Sequence, residues 1–272
     1  MEYPLLSLEL ARELEMAEAQ AATACAERTR ATPGLHSAAV RAVAGGFAVY
    51  CGANSPVTQA VGLGLNGPVS KEEFDWLEDF YFTRKEAVRV ETCPMADATL
   101  MEHYKDRGYF VSEFSNVMVR PVGNVEMPTA NEIEVRRASD GELELWTLTV
   151  AQGFAEHYPV TKELLDVMKL SASGKNTECF LARIGGRVAG GATLAVRGRI
   201  AGLFGASTLP GFRGQGVQTA LLTARLWRAG ELKCELAMSL AQPGSPSQRN
   251  ITRRGFRTLY TRAKFERAFC PG

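Results

Sequence analysis

Paired cysteines are missing, and histidine is scarce. The chain has six cysteines (Cys25, Cys51, Cys93, Cys179, Cys234, Cys270) and three histidines in 272 residues, with no CxxC pair and no histidine cluster. Such scatter argues against a zinc site and a disulfide framework, and it fits a reducing compartment. No metal is expected. Also missing is an apolar run of about 18 residues, the length a membrane-spanning helix needs. The opening MEYPLLSLELARELEMAEAQ has acidic residues where a signal peptide carries basic ones. A cytoplasmic protein without a membrane partner is the expectation. Charge of one sign is absent overall, with 31 Lys and Arg against 30 Asp and Glu.

What is present suits two domains of about 120–140 residues each, and 46% apolar residues can fill two cores. The balanced charge hides an uneven distribution. Residues 211–272 hold 11 Lys and Arg against 3 Glu and no Asp. A basic end of this kind implies a phosphate-rich partner, either a nucleotide cofactor or a nucleic acid.

Spacing of the apolar residues predicts the elements. Leu10, Leu14, Ala17, Ala21 and Cys25 recur at helical intervals over residues 8–30, and Pro33–Gly34 ends the pattern. Strand-like runs follow at 38–43, 46–51 and 59–65. A helix is expected over 70–87 with Ser70 as N-cap, then a strand at 88–91, a helix at 96–107 and a strand at 109–119. Residues 120–132, RPVGNVEMPTANE, read as a linker between domains 1–125 and 126–272. The second half reads as a strand, two helices, three hairpin strands, a helix, a strand, a helix and a strand. Both halves end on strand, Pro-containing loop, helix, Arg-Gly-aromatic and strand. Gly108 precedes Arg120 by 12 positions, as Gly255 precedes Arg267. This order reads as an internal duplication.

The sharpest signal is GASTLPGFRGQGVQTALLTARLW. Gly214 and Gly216 bring backbone close to a ligand and aim several N–H groups one way, at the start of a helix whose dipole favours an anion. Arg213 adds a charge-assisted contact. Gly-Lys-Ser/Thr is missing, so this is no Walker loop, and the glycine spacing fails the dinucleotide fingerprint.

RGQG, the preceding Leu-Pro and the later SQRNITRRGF resemble the coenzyme motif and following segment of GNAT acetyltransferases. The likeness is good over 132–267 and weak over 35–120. Gln218 stands where the family's Gln/Arg-x-x-Gly-x-Gly/Ala loop has a small residue. The resemblance implies an α/β (α+β) fold of two GNAT-like mixed, mainly antiparallel sheets flanked by helices, in tandem, the N-terminal copy degenerate. It implies acetyl-CoA as co-substrate. The strand end at Ser207, Thr208 and Leu209 would meet the pantetheine arm. The amides of Arg213, Gly214, Gln215, Gly216, Val217 and Gln218 would hold the diphosphate, with Asn250 as a further coenzyme contact.

Family chemistry is direct attack of a neutral amine on the thioester, and a base helps to deprotonate it. Glu156 and His157, in the loop after the first helix of this half, are candidates, and Phe154 and Tyr158 are candidates for shaping an acceptor pocket. Many members place a tyrosine four residues before the late Gly-Phe glycine. Here that position is Ile251, so Ser247, Asn250 and Tyr260 are the substitutes considered for proton donation. The first half does carry a tyrosine there, Tyr104, but lacks the glycine loop. Its segment LNGPVSKEEFDW places acids where phosphate would sit, so no coenzyme is expected there. Arg249, Arg253, Arg254 and Arg257 are either a solvated helix face or contacts for an anionic group. The expected activity is N-acetylation of a small-molecule amine by a monomer rather than a homodimer, without nucleic acid. The alternatives are a protein or peptide N-acetyltransferase, or a non-catalytic module that senses acyl-CoA or holds RNA.

Overall fold

In a computed structural model the structure describes residues 2–32, 38–53, 55–123, 125, 132–155 and 160–270. Most of the expected linker, and the loop with Glu156 and His157, lie outside them. The chain forms two compact units. The first comprises Pro4–Val117, Ala241–Pro243 and Thr258–Gly272, and the second Met1–Tyr3, Met118–Leu240 and Gly244–Arg257. The last segment of the chain therefore counts with the first unit, not with the residues that precede it in sequence. No helix among the described residues is long and apolar enough to cross a membrane.

In the first unit α1 (Leu8–Ala31) starts at Ser7, whose hydroxyl accepts from the Leu10 N–H. Of the stripe its spacing predicts, it buries Leu10, Leu14, Ala17 and Cys25, while Ala21 is half-buried. Strands β1 (Ala39–Val43), β2 (Gly46–Tyr50) and β3 (Gln59–Val61) pair antiparallel. Helix α2 (Lys71–Phe82) then crosses to β4 (Val88–Thr92), which lies parallel to β3. After α3 (Thr99–Asp106) and β5 (Phe110–Pro121), the partner of β4 is β11 (Arg257–Arg267), with Ala263 opposite Thr92 and Arg267 opposite Val88. Phe74, Leu77, Tyr81, Val90, Leu100 and Tyr104 form the core. Tyr104 is spent here: its hydroxyl bonds Thr92 Oγ1 at 2.9 Å and its ring stacks on Phe265.

Placing β11 in this unit also accounts for three of the 11 cations in the basic C-terminal segment. Arg262 is fully buried, 2.6 Å from Glu18 and 3.2 Å from Glu15. Lys264 pairs with Glu91 and Glu113, and Arg267 with Glu78. These cations answer carboxylates of the first half and are not a phosphate-binding surface.

The second unit repeats the pattern. Strands β6 (Ile133–Arg137), β7 (Thr177–Ile184), β8 (Arg187–Arg197) and β9 (Ile200–Thr208) run antiparallel. Helix α6 (Val217–Glu231) crosses to β10 (Leu236–Ala241), parallel to β9. The end of β5 lies beside β10, and the Val122 N–H donates to Glu235 O. Between β7 and β6 in sequence come α4 (Leu143–Phe154) and α5 (Lys162–Ala172); a last helix, α7 (Pro246–Thr252), follows β10. Helix α4 packs Trp146 and Val150 against β7 and β8, and the Trp146 indole donates to Ala192 O. Thus both units run an antiparallel set into a parallel pair joined by a crossover helix, as the duplication predicts.

Candidate active site

Three pieces of chain position the site. The first is the junction from β9 to α6. One 3-10 turn at Pro210–Phe212 leads into Arg213–Gly216, where Gly214 (φ +76°) and Gly216 (φ +87°) are left-handed. A side chain at Gly214 would meet nothing within 4 Å, and at Gly216 only Ile133 Cδ1 at 3.6 Å. Backbone conformation, not crowding, is what requires glycine there. Gly216 caps α6 with no side chain closing the helix start. Among the described residues, none accepts from the N–H groups of Gly214, Gln215, Gly216, Val217 or Gln218. An open helix start with its dipole favours an anion.

The second piece is the edge of β9. Its backbone pairing with β10 ends at Gly202 opposite Met238, and beyond it the Ser239 hydroxyl of β10 donates to Leu203 O at 3.1 Å. The third is the close approach of α4. A Cβ on Gly153 would collide with the Ser207 side chain, so glycine lets the helix come against β9. These elements and α7 enclose a cavity of about 640 Å³, lined by Ser207, Thr208, Arg213, Gly214, Gly216, Val217, Gln218, Ser247 and Asn250 among others. The Ser207 hydroxyl is buried there with no hydrogen-bond partner among the described residues.

Residues 142–256 match the model of the acetyltransferase (GNAT) family. This segment is a GNAT domain. Over nearly the whole chain, the fold is similar to a GCN5-related N-acetyltransferase from Kribbella flavida, at 17% identity and TM-score 0.65, covering 93% of this chain and 95% of that one. A GCN5-related N-acetyltransferase from Sphaerobacter thermophilus gives 16% identity and TM-score 0.60, covering 98% and 95%. A tandem GNAT protein from the clavulanic acid biosynthesis pathway gives 11% and 0.60, covering 100% and 99%. No curated protein matches the chain. The family is one of acyltransferases that use acetyl-CoA.

Most of the sequence-derived coenzyme residues converge on the GNAT domain's cavity. Gln218 also ties the helix to the strand, its Nε2 donating to Thr208 Oγ1 at 3.2 Å. Leu209 does not join them. Its N–H donates to Ala189 O at 2.9 Å, so sheet pairing uses the group expected to meet pantetheine. Gln215 turns its side chain back to Gly211 O and does not line the cavity, leaving only its backbone N–H to the loop. Of the catalytic candidates, Ser247 lines the cavity, and Glu156 lies outside the described residues. Tyr260 is corrected by the structure: it belongs to the first unit, where its hydroxyl donates to Glu15 at 2.7 Å. Burial, and then the Glu15 charge, push its phenol far up, so it keeps its proton in a structural bond.

Sequence reading missed Arg225, Leu203, Ser239, Thr219 and Leu222, all lining the cavity. For Arg225 a signal existed, since it falls four residues after Leu221 on the buried face of α6. Of the arginine cluster, Arg253 reaches the cavity lining, while Arg257 lies over the Tyr3 ring.

Proposed function

We propose that the protein transfers an acetyl group from acetyl-CoA to the primary amine of a small molecule, using the cavity of the second unit alone. The observation that carries this reading is the unfilled start of α6, whose glycine loop opens into a cavity of about 640 Å³. The N–H groups of residues 214–218 hold the diphosphate, and Arg213, whose own N–H donates to Pro210 O at 3.3 Å, adds charge through its side chain. Ser207, Thr208 and Asn250 meet the pantetheine arm. Orphaned Ser207 Oγ fits that role, because a buried hydroxyl without a partner is costly until a ligand supplies one.

In the reaction the amine nitrogen bonds the thioester carbon, the C–S bond breaks, and CoA leaves as thiolate. Holding both reactants in one cavity supplies much of the acceleration. Glu156 takes the proton from the amine, and Ser247 donates to the departing sulfur. A thiol is acidic enough, with a pKa of about 8.5, to leave without a strong acid, which suits a site with Ile251 in place of tyrosine. The first unit binds no coenzyme, and the protein acts as a monomer.

Thiol release from acetyl-CoA, followed over a panel of small amines with mass spectra of the products, tests the reading. Acetylated product from at least one amine is expected. Release only with peptide or protein amines would replace the acceptor class, and failure of CoA itself to bind would end the assignment.

A further inference from the structure

Arg225 is charged and buried, and no carboxylate of the described residues pairs with it. Only 3% of it is exposed, and Nε donates to Leu221 O at 3.1 Å. Its Nη1 donates to Thr193 O at 3.0 Å and reaches Phe204 O at 3.4 Å. Nη2 makes no hydrogen bond to a described residue. Carbonyl oxygens carry no net charge, and burial lowers the guanidinium pKa to about 9, with no carboxylate of the described residues acting in the other direction. It stays protonated at neutral pH. Arg262 in the first unit shows the contrast, since burial there is met by Glu15 and Glu18. A buried cation lacking such a partner is costly unless a ligand supplies one.

Its place in the cavity narrows what that ligand is. Gly202 and Met238 are the last paired residues of β9 and β10, and the next residues, Leu203 and Ser239, line the cavity with Arg225. Arg225 lies nine residues beyond Gly216 on α6, or about 13 Å along the helix axis at 1.5 Å per residue. An extended pantetheine arm covers that length, so a coenzyme held by the loop brings its thioester close to Arg225.

We propose that this end of the cavity receives a carboxylate carried by one of the two reactants, and that Arg225 pairs with it. The inference rests on the coenzyme reading above and extends it to substrate class. Two sources share the chemistry: an acyl group ending in a carboxylate, or an acceptor amine bearing one, as in an amino acid.

Calorimetry on the full chain separates them. One arm compares acetyl-CoA with succinyl-CoA. The other saturates the protein with CoA and titrates the amino acids against their amides. At least tenfold tighter binding of the carboxylate form is expected in one arm, reduced at least tenfold in Arg225→Gln and partly restored in Arg225→Lys. The wild-type arms need no substitution, so they decide the matter even where Arg225→Gln fails to fold. Bound CoA with no carboxylate preference in either arm would overturn the proposal and leave Arg225 a brace for the Thr193 and Phe204 carbonyls. A carboxylate preference that survives in folded Arg225→Gln would overturn it too. Absence of CoA binding would instead strike the coenzyme reading itself.

Discussion

Helices α2 and α6 hold equivalent places in the two units, each crossing between parallel strands, yet their N-termini are treated in opposite ways. Helix α2 begins at Ser70, whose hydroxyl accepts from the Glu73 N–H while Glu73 Oε2 accepts from the Ser70 N–H. Glu72 and Glu73 place negative charge in its first turn. The helix satisfies its own exposed amides and dipole from within. Helix α6 begins at Gly216, with no side-chain cap and no acid in its first turn. Its amides are left for something that is not part of the chain. One fold position is thus closed by its own side chains in one unit and left open in the other, and a few residues at the helix start make the difference. Buried arginines repeat the lesson: Arg262 is answered by the chain, Arg225 is not.

The largest expected effect breaks the answered charge. Arg262→Met leaves Glu15, already pushed up mainly by burial, facing Glu18 without its guanidinium. Loss of about 3–5 kcal/mol is expected in urea unfolding, with CoA affinity unchanged in the folded protein. A loss below about 1 kcal/mol would show that the network relaxes with little cost.

Next comes the open helix start. Gly216→Trp forces a bulky residue into a left-handed conformation at the loop. We expect CoA affinity to fall about 100-fold, equivalent to about 3 kcal/mol, with the circular dichroism spectrum retained. Undiminished affinity in the folded variant would contradict the loop assignment. The matching change in the other unit, Ser70→Ala, is expected to cost about 1 kcal/mol of stability and nothing in CoA affinity. Weakened CoA binding there would mean that the first unit takes part.

A smaller effect concerns a charge pair of the second unit. Arg228 donates to both oxygens of Glu178, and this bond is the main cause that holds the Glu178 carboxyl below its ordinary 4.5. A depressed carboxyl contributes stability above pH 4.5 and loses it as pH falls through the lowered value. Glu178→Gln should therefore cost about 1 kcal/mol at pH 7, and the gap to wild type should close on acidification below 4.5. A gap that stays constant down to pH 3 would exclude this linkage.

Much of the fold was legible because its signals are local. The apolar stripe of α1, the Ser70 cap of α2 and the glycine loop before α6 each depend on residues within a turn or two of one another. Elements shortened where packing trims them: the strand read over 59–65 pairs only at Gln59–Val61, and the helix read over 70–87 ends at Phe82. Of the site, the loop and the edge of β9 could be read from the chain, except Leu209, whose amide is taken by sheet pairing with Ala189.

The residues around RGQG determined by themselves that a helix start would be left open to an anion, because left-handed glycines and the lack of a capping side chain act over a single turn. Only the tertiary structure decided where β11 goes. Strand alternation specifies a face and not a neighbour, since the hydrogen bonds that choose the neighbour come from backbone common to every residue. That choice turned Tyr260 from a candidate proton donor, and Arg262 and Lys264 from parts of a basic end, into the answered charges and bonds of the first unit. It is also distance through space, not along the chain, that left Arg225 beside the Thr193 and Phe204 carbonyls and an open cavity, with no acid of the described residues to meet it.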